Sequence, residues 1–376
     1  MAEQTRSSSR RKLTARAVFP FTLVLSVVLQ CELAQAGTTT YPGGSNLAHY
    51  DLGANKGVVY NYCVANQGNC GPYGAQATID SDLQTMRNNG QYRLRIPIFH
   101  ARGNNNGATM DSAGGNLSLQ HRTNLQNLLA TVKLKGFSEV IISFHPQDYN
   151  LPAGGNHDWS GSANDWNNQP PGSPMGTTYS NLYQENFNLI LNLRTIIIAA
   201  QIAYKIDLGN ELAPPTSDIM NTQQGLWAYY VRRMWMDYNI ATGQKSDTLS
   251  FSLVTPFRVF GLIDTLNGTG YGQSNVYDVH IYENYQYNPY GDSYAQYTAY
   301  HANFNNRSFA GPLIIGECYY NDVVSAQKLK NAILATPSRT VLFLLQWPVQ
   351  WIDPFGDAGV AKVYQVYNYA ANGFFW

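Results

Sequence analysis

Charge is scarce in this sequence. Only 13% of its 376 residues are Asp, Glu, Lys or Arg, with 24 basic side chains against 24 acidic. Such a composition lacks the charge excess of a disordered segment and the charge density of a coiled coil. A formal net charge of zero, with no Lys/Arg run beyond the N-terminus, argues against a nucleic-acid partner. Long apolar runs are missing too, since the stretch Ala17 to Leu29 is short for a membrane span. Four cysteines form no Cys-x-x-Cys pair, histidines do not cluster, and no Gly-rich phosphate loop opens a helix. Neither a metal nor a cofactor is expected.

Residues 1–36 read as an export signal. Basic Arg10, Arg11, Lys12 and Arg16 precede the apolar stretch, and Ala34-Gln35-Ala36 follows it. The segment Ser9-Arg10-Arg11-Lys12-Leu13 also resembles a twin-arginine signal. A retained signal-anchor or a lipid on Cys31 ranks lower, because the apolar run is short and Gln30 is not the small residue expected before a lipidated Cys. Cleavage near Gly37 leaves 19 basic against 22 acidic residues in 37–376, a mildly acidic secreted or periplasmic protein without a stable membrane span. Of the remaining cysteines, Cys63 and Cys70 are expected to pair, their short separation being easy to close in an exported chain. Cys318 reads as a packed, inert thiol.

From there the chain alternates short β-rich runs with longer helical stretches. The expected strands are Val58 to Ala65, Tyr92 to Phe99, Val140 to His145, Lys205 to Gly209, Leu249 to Thr255, Val276 to Tyr282, Leu313 to Glu317 and Val341 to Trp347. Several are apolar on both faces, as parallel strands buried between layers should be. Helical spacing marks Ala75 to Asn89, Leu119 to Lys135, Tyr179 to Ala203, Thr222 to Thr242, Asp292 to Asn305 and Asp322 to Ala335, while Pro256 to Asn275 is only weakly helical. Eight such units without a Pro/Ser-rich linker predict an α/β protein with a single (β/α)8 TIM barrel rather than an open doubly wound sheet. The longest connection, Pro146 to Thr178, falls where barrels bind substrates, and its Trp159 and Trp166 are expected to be sugar-stacking platforms.

Potential chemistry gathers at the C-terminal ends of these strands. Strand two carries Arg95, strand three ends in His145, and strand four ends in Asn210-Glu211. Strand six carries His280-Ile281-Tyr282, strand seven ends in Glu317, and strand eight in Trp347. Each alone has a bland reading, as a solvated terminus or a packed side chain. Together they place two carboxyl groups on strands four and seven, which face each other across a closed eight-stranded barrel. Hydrolysis of a glycosidic bond needs an acid for the leaving oxygen and a second carboxylate as nucleophile or base. Arg95 and Tyr282 are placed to keep Glu317 anionic, with Glu211 protonated beside it.

From about residue 57 onward the chain resembles a retaining glycoside hydrolase of clan A, most closely family 5, the cellulase/mannanase family. The resemblance implies Glu211 as general acid/base and Glu317 as nucleophile. It further implies Asn210 on the sugar 2-hydroxyl, Tyr282 and Arg95 orienting Glu317, His280 beside Glu211, His145 on a sugar hydroxyl and Trp347 as an apolar floor. Two departures stand out: Glu211 is followed by Leu212-Ala213-Pro214 where an immediate Pro is frequent, and Ser143 stands where an Asp often precedes the His. The expected partner is a β-linked polysaccharide or oligosaccharide (a β-glucan, a mannan or an exopolysaccharide), cleaved by endo action. A catalytically silent carbohydrate-binding barrel is the alternative, disfavoured because binding alone does not require two opposed carboxylates. A cofactor-dependent or phosphate-handling barrel ranks last.

Overall fold

A parallel strand covered on both sides must bury both faces, and the described residues of this chain supply eight of them. In chain order they are β1 (Gly44–Asn46), β2 (Arg93–His100), β3 (Glu139–Pro146), β4 (Ala203–Asp207), β5 (Thr248–Ser250), β6 (Tyr277–His280), β7 (Leu313–Glu317) and β8 (Val341–Gln346). The computed structural model describes residues 38–47, 57–65, 67, 74–101, 115–153, 159–173, 175–220, 224–243, 245–284, 289–347 and 365–375, all within one unit, Gly37–Trp376. The expected export signal at 1–36 and Cys70 lie outside the described residues. Cys63 is disulfide-bonded, and Cys318 is a buried free thiol.

The strand order β5-β4-β3-β2-β1-β8-β7-β6 is parallel throughout and forms a nearly closed barrel. Between β5 and β6 the ring is bridged by Leu253, whose N–H donates to the Asp278 carbonyl at 3.0 Å and whose carbonyl accepts from the His280 N–H at 2.8 Å.

Outside the strands run α1 (Val58–Asn61), α2 (Gln76–Asn88), α3 (Leu119–Leu134), α4 (Tyr179–Ala199), α5 (Gly225–Thr242), α6 (Arg258–Asn267), α7 (Ser293–Asn306), α8 (Val323–Ala335) and the short α9 (Tyr367–Ala370). Their starts follow from capping: Ser118, Thr178, Asp292 and Asp322 accept the N–H groups left without partners at the first turns of α3, α4, α7 and α8. The weakly helical fifth connection holds α6, whose Val259, Leu262, Ile263 and Leu266 recur at helical spacing and are buried.

The helix-facing core is one large apolar cluster, while Ile141, Leu249, Val276, Ile314, Phe343 and Leu345 form a second, smaller one. Period-two alternation carries each strand upward from that second cluster: Ile141 leads to Ser143 and His145, and Val276 leads to Asp278 and His280.

Two expectations are corrected. The run Val58 to Ala65 is not the first strand: Val58–Asn61 is helical, and Val58, Val59 and Tyr62 pack into the core. The true β1 has no apolar signature because it is squeezed between its neighbours. A Cβ on Gly44 would lie 1.7 Å from the Arg93 carbonyl oxygen, so bulky β-formers cannot occupy it. Trp159 is the second correction. Only 2% exposed, it packs edge-on against Trp166, Tyr179 and Tyr230 and donates its indole N–H to the Tyr149 carbonyl at 2.9 Å. It is core beneath the third loop, not a platform, because its large apolar ring finds more surface to bury there. Trp166 is half-buried against Tyr183 and Tyr229.

Candidate active site

Strand ends bring the expected residues to one mouth of the barrel. Arg95 is fully buried at its centre. Its guanidinium donates to Glu317 Oε1, to Asp207 Oδ2 at 2.7 Å, to Asn210 Oδ1 at 2.6 Å and to Asn46 Oδ1 at 3.2 Å. Burial disfavours the guanidinium charge, but Glu317, Asp278 and Asp207 outweigh it and raise the pKa, so this is a permanent cation. One planar fork thereby fixes groups from β1, β4 and β7 at once.

Glu317 receives a second donor: the Tyr282 hydroxyl lies 2.5 Å from Oε2. The phenol remains protonated, since burial and then Glu317 push its pKa well above the ordinary value. Glu211 meets His280 Nδ1 at 2.8 Å, and the same ring nitrogen is 3.3 Å from Glu317 Oε2. One oxygen of Glu211 and one of Glu317 thus lie within 4.8 Å of each other and of His280.

Glu211 is held by an unusual backbone. Glu211 has φ 55°, a left-handed conformation that costs a residue with a Cβ about 1–3 kcal/mol. Its N–H donates to Ser252 Oγ at 2.8 Å, and its carbonyl accepts from Arg258 Nη1 at 2.9 Å. Arg258 in turn lies 4.8 Å over the Trp227 ring, whose N–H donates to the Leu212 carbonyl at 2.8 Å.

Electrostatics divides the two carboxyls in a way that differs from expectation. Burial raises the pKa of Glu317, whose side chain is 4% exposed, and His280 and Arg95 only partly offset it. Burial pushes the Glu211 pKa up as well, but the His280 hydrogen bond and charge, with Arg258 and Arg95, outweigh it and the net shift is downward. At His280, burial opposes charge, but Glu317, Glu211 and Asp278 together raise the pKa. The downward shift of Glu211 and the upward shift of His280 share one source, the hydrogen bond that joins them.

His145 is 6% exposed, its Nε2 meets Ser143 Oγ at 3.1 Å, and its ring packs on Phe99. Burial, then Arg95 and His280, push its pKa well below the usual value, which keeps it neutral. Asn210 turns its Oδ1 to Arg95, directing the amide nitrogen elsewhere. Trp347 is half-buried just beyond β8, its backbone N–H donating to the Cys318 carbonyl at 2.7 Å.

Several residues escaped the sequence reading. Asp207 accepts from Arg95, from Ser143 Oγ at 2.8 Å, and from the Gly209 and Ser252 N–H groups at 3.2 Å. Ser143, which looked like a departure, is the link from Asp207 to His145. Gln296 brackets the Tyr282 backbone, accepting its N–H at 3.2 Å and donating to its carbonyl at 2.5 Å. Asp278 lies beneath His280. A signal did exist for Asp207 and Asp278: each is a lone acid inside an apolar strand, in register with the site residue two or four positions on.

Glu211, His280 and Glu317 bring one donor atom each close together. Those atoms are hydrogen-bonded to one another, to Arg95 and to Tyr282.

No protein-family model and no curated protein matches the sequence. Solved structures do match. A β-mannanase from the blue mussel Mytilus edulis aligns at 12% identity and TM-score 0.52, over 89% of this chain and 96% of that one. A GH5_18 protein from Bifidobacterium longum subsp. longum, in complex with Manβ1-4GlcNAc, aligns at 11% identity and TM-score 0.51, over 78% and 70%. An endo-1,4-β-mannanase from Eisenia fetida aligns at 11% identity and TM-score 0.50, over 88% and 90%. At such identities the likeness is one of fold: the chain has the barrel fold of family 5, clan A glycoside hydrolases.

Proposed function

We propose that residues 37–376 form a retaining glycoside hydrolase acting on a β-linked polysaccharide, exported by way of the signal at 1–36 to the periplasm or exterior. The observation that carries this reading is the opposed pair Glu211 and Glu317, one carboxyl oxygen of each lying within 4.8 Å of the other. Retaining enzymes hold their carboxyls about 5–5.5 Å apart, whereas inverting enzymes need about 6.5–9.5 Å to admit a water.

In the first step a Glu317 oxygen attacks the anomeric carbon. The Glu211–His280 pair supplies one proton, delivered by Glu211 to the departing glycosidic oxygen, and a glycosyl ester forms on Glu317. In the second step Glu211 takes a proton from water, the hydroxide oxygen bonds to the anomeric carbon, and the Glu317 carboxylate is released. The Asn210 amide nitrogen binds the sugar 2-hydroxyl, a contact that strengthens as charge develops in the transition state. His145 binds a further hydroxyl through the nitrogen that Ser143 does not use, and Trp347 forms the floor under the reacting ring. The long third loop supports endo action, and the mannanases among the similar folds put β-mannan first among polymers to test, ahead of β-glucan and exopolysaccharide.

Product analysis after incubation with a panel of polysaccharides tests this directly. Wild type should release oligosaccharides of retained configuration, Glu317→Gln should bind sugar without turning it over, and Glu211→Ala should keep partial activity on activated aryl glycosides, accelerated by azide. Equal turnover by wild type and Glu317→Gln would refute the assignment.

A further inference from the structure

Four carboxyl groups converge on one guanidinium and one imidazole in the upper barrel: Asp207, Asp278, Glu317 and Glu211 around Arg95 and His280. Even with both bases charged, the group cannot hold four anions without strong mutual repulsion. Three of the acids have donors. Asp207 accepts four hydrogen bonds, Glu317 accepts from Arg95 and Tyr282, and Glu211 is bonded to His280.

Asp278 is different. Fully buried, it has no hydrogen-bond partner on either carboxyl oxygen among the described residues, and the same holds for the two nitrogens that face it, Arg95 Nε at 3.7 Å and His280 Nε2 at 3.9 Å. Its place is built into the fold. A Cβ on Gly316 of β7 would lie 2.0 Å from Asp278 Oδ1, so only glycine there leaves room for this carboxyl. The charged and titratable groups facing it are Arg95 from β2, Asp207 from β4, His280 from its own strand and Glu317 from β7. His280 is faced by Glu211, Glu317, Asp278 and the neutral His145.

We propose that Asp278 is a positioning residue for the acid/base, acting through His280 to hold the proton of the Glu211–His280 pair up to higher pH. The inference rests on the glycosidase reading above. Asp278 touches no substrate and exchanges no proton with it. Its negative charge on the Nε2 side of the ring raises the proton affinity of the imidazole, and hence of the pair whose other member is Glu211. Burial lifts the Asp278 carboxyl to about 7 despite Arg95 and His280, so that charge develops as the solution becomes neutral. The acid then keeps its proton where it would otherwise begin to lose it.

The test is Asp278→Asn, which keeps the shape and removes the charge. The alkaline limb of kcat/KM on an unactivated oligosaccharide should move to lower pH by roughly one to three units, the range produced by one nearby charge. An aryl glycoside with a good leaving group, which needs no proton, should keep the wild-type alkaline limb. An unmoved limb on the oligosaccharide in a folded variant overturns the proposal. A titration of the native protein labelled with 15N-histidine decides the matter independently of activity and of how the variant folds. The His280 resonance, identified by its loss in His280→Gln, should show two inflections, one of them from Asp278, and a single inflection overturns the proposal. If wild type hydrolyses no glycoside, the functional reading fails while the histidine titration still reports on the Asp278–His280 coupling.

Discussion

Replacing Tyr282 by Phe removes one oxygen atom from the site and leaves the ring, its contact with Tyr319 and the Gln296 bracket on its backbone in place. What disappears is a 2.5 Å hydrogen bond to Glu317 Oε2. A hydrogen bond to a charged group contributes about 1.5–3 kcal/mol. At 1.36 kcal/mol per pKa unit, its loss should raise the Glu317 pKa by about 1–2 units. The shift should fall toward the lower end, because Arg95 still holds Oε1 and His280 Nδ1 stands 3.3 Å from Oε2. Its sign is upward: burial already raises this carboxyl, and the lost donor was lowering it. The acidic limb of kcat/KM, which reports ionisation of the free nucleophile, should therefore move to higher pH by about one unit or somewhat more. Below that limb kcat/KM should fall about tenfold or more, and above it the loss should be smaller, reflecting orientation alone. The assay is kcat/KM from about pH 4 to 9, with the melting temperature followed in parallel. An acidic limb unmoved in a variant of unchanged melting temperature would refute the role assigned to Tyr282.

Two further substitutions separate packing from chemistry. Trp159→Ala should cost about 3–5 kcal/mol of stability, as removal of a buried aromatic does, with KM for oligosaccharides little changed in the folded fraction; a raised KM at unchanged melting temperature would restore the platform reading. Arg258→Met should leave the left-handed Glu211 backbone held by Ser252 alone, lowering the melting temperature by a few degrees. It should also lower kcat more on poor leaving groups than on activated aryl glycosides, and calorimetry with leaving-group kinetics would show whether both effects occur.

The strand ends were legible because two periodicities and one chemical pattern coincide there. β7 was delimited from its own residues, and β3 and β8 nearly so, because their apolar runs are bounded by turns. β1 was not, since Gly44 is selected by the closeness of Arg93 and not by any propensity of its own. Val58 and Val59 misled for the complementary reason: β-branched residues favour strands only weakly, and burial against neighbouring elements decided for a helical turn. Trp159 could be placed in the third loop but not oriented, because nothing local says whether a ring faces solvent or Tyr179 and Tyr230.

By itself the sequence determined the alternating α/β order, the parallel character of the strands and the types of residue at their carboxyl ends, all of which follow from local periodicity. Only the tertiary structure decided the partnerships. Residues far apart in the chain, such as Arg95, Asp207, Asp278 and Glu317, meet because barrel closure stacks strand interiors into shared layers. The surroundings of each carboxyl are likewise decided in space: four donors for Asp207, two for Glu317, and none among the described residues for Asp278.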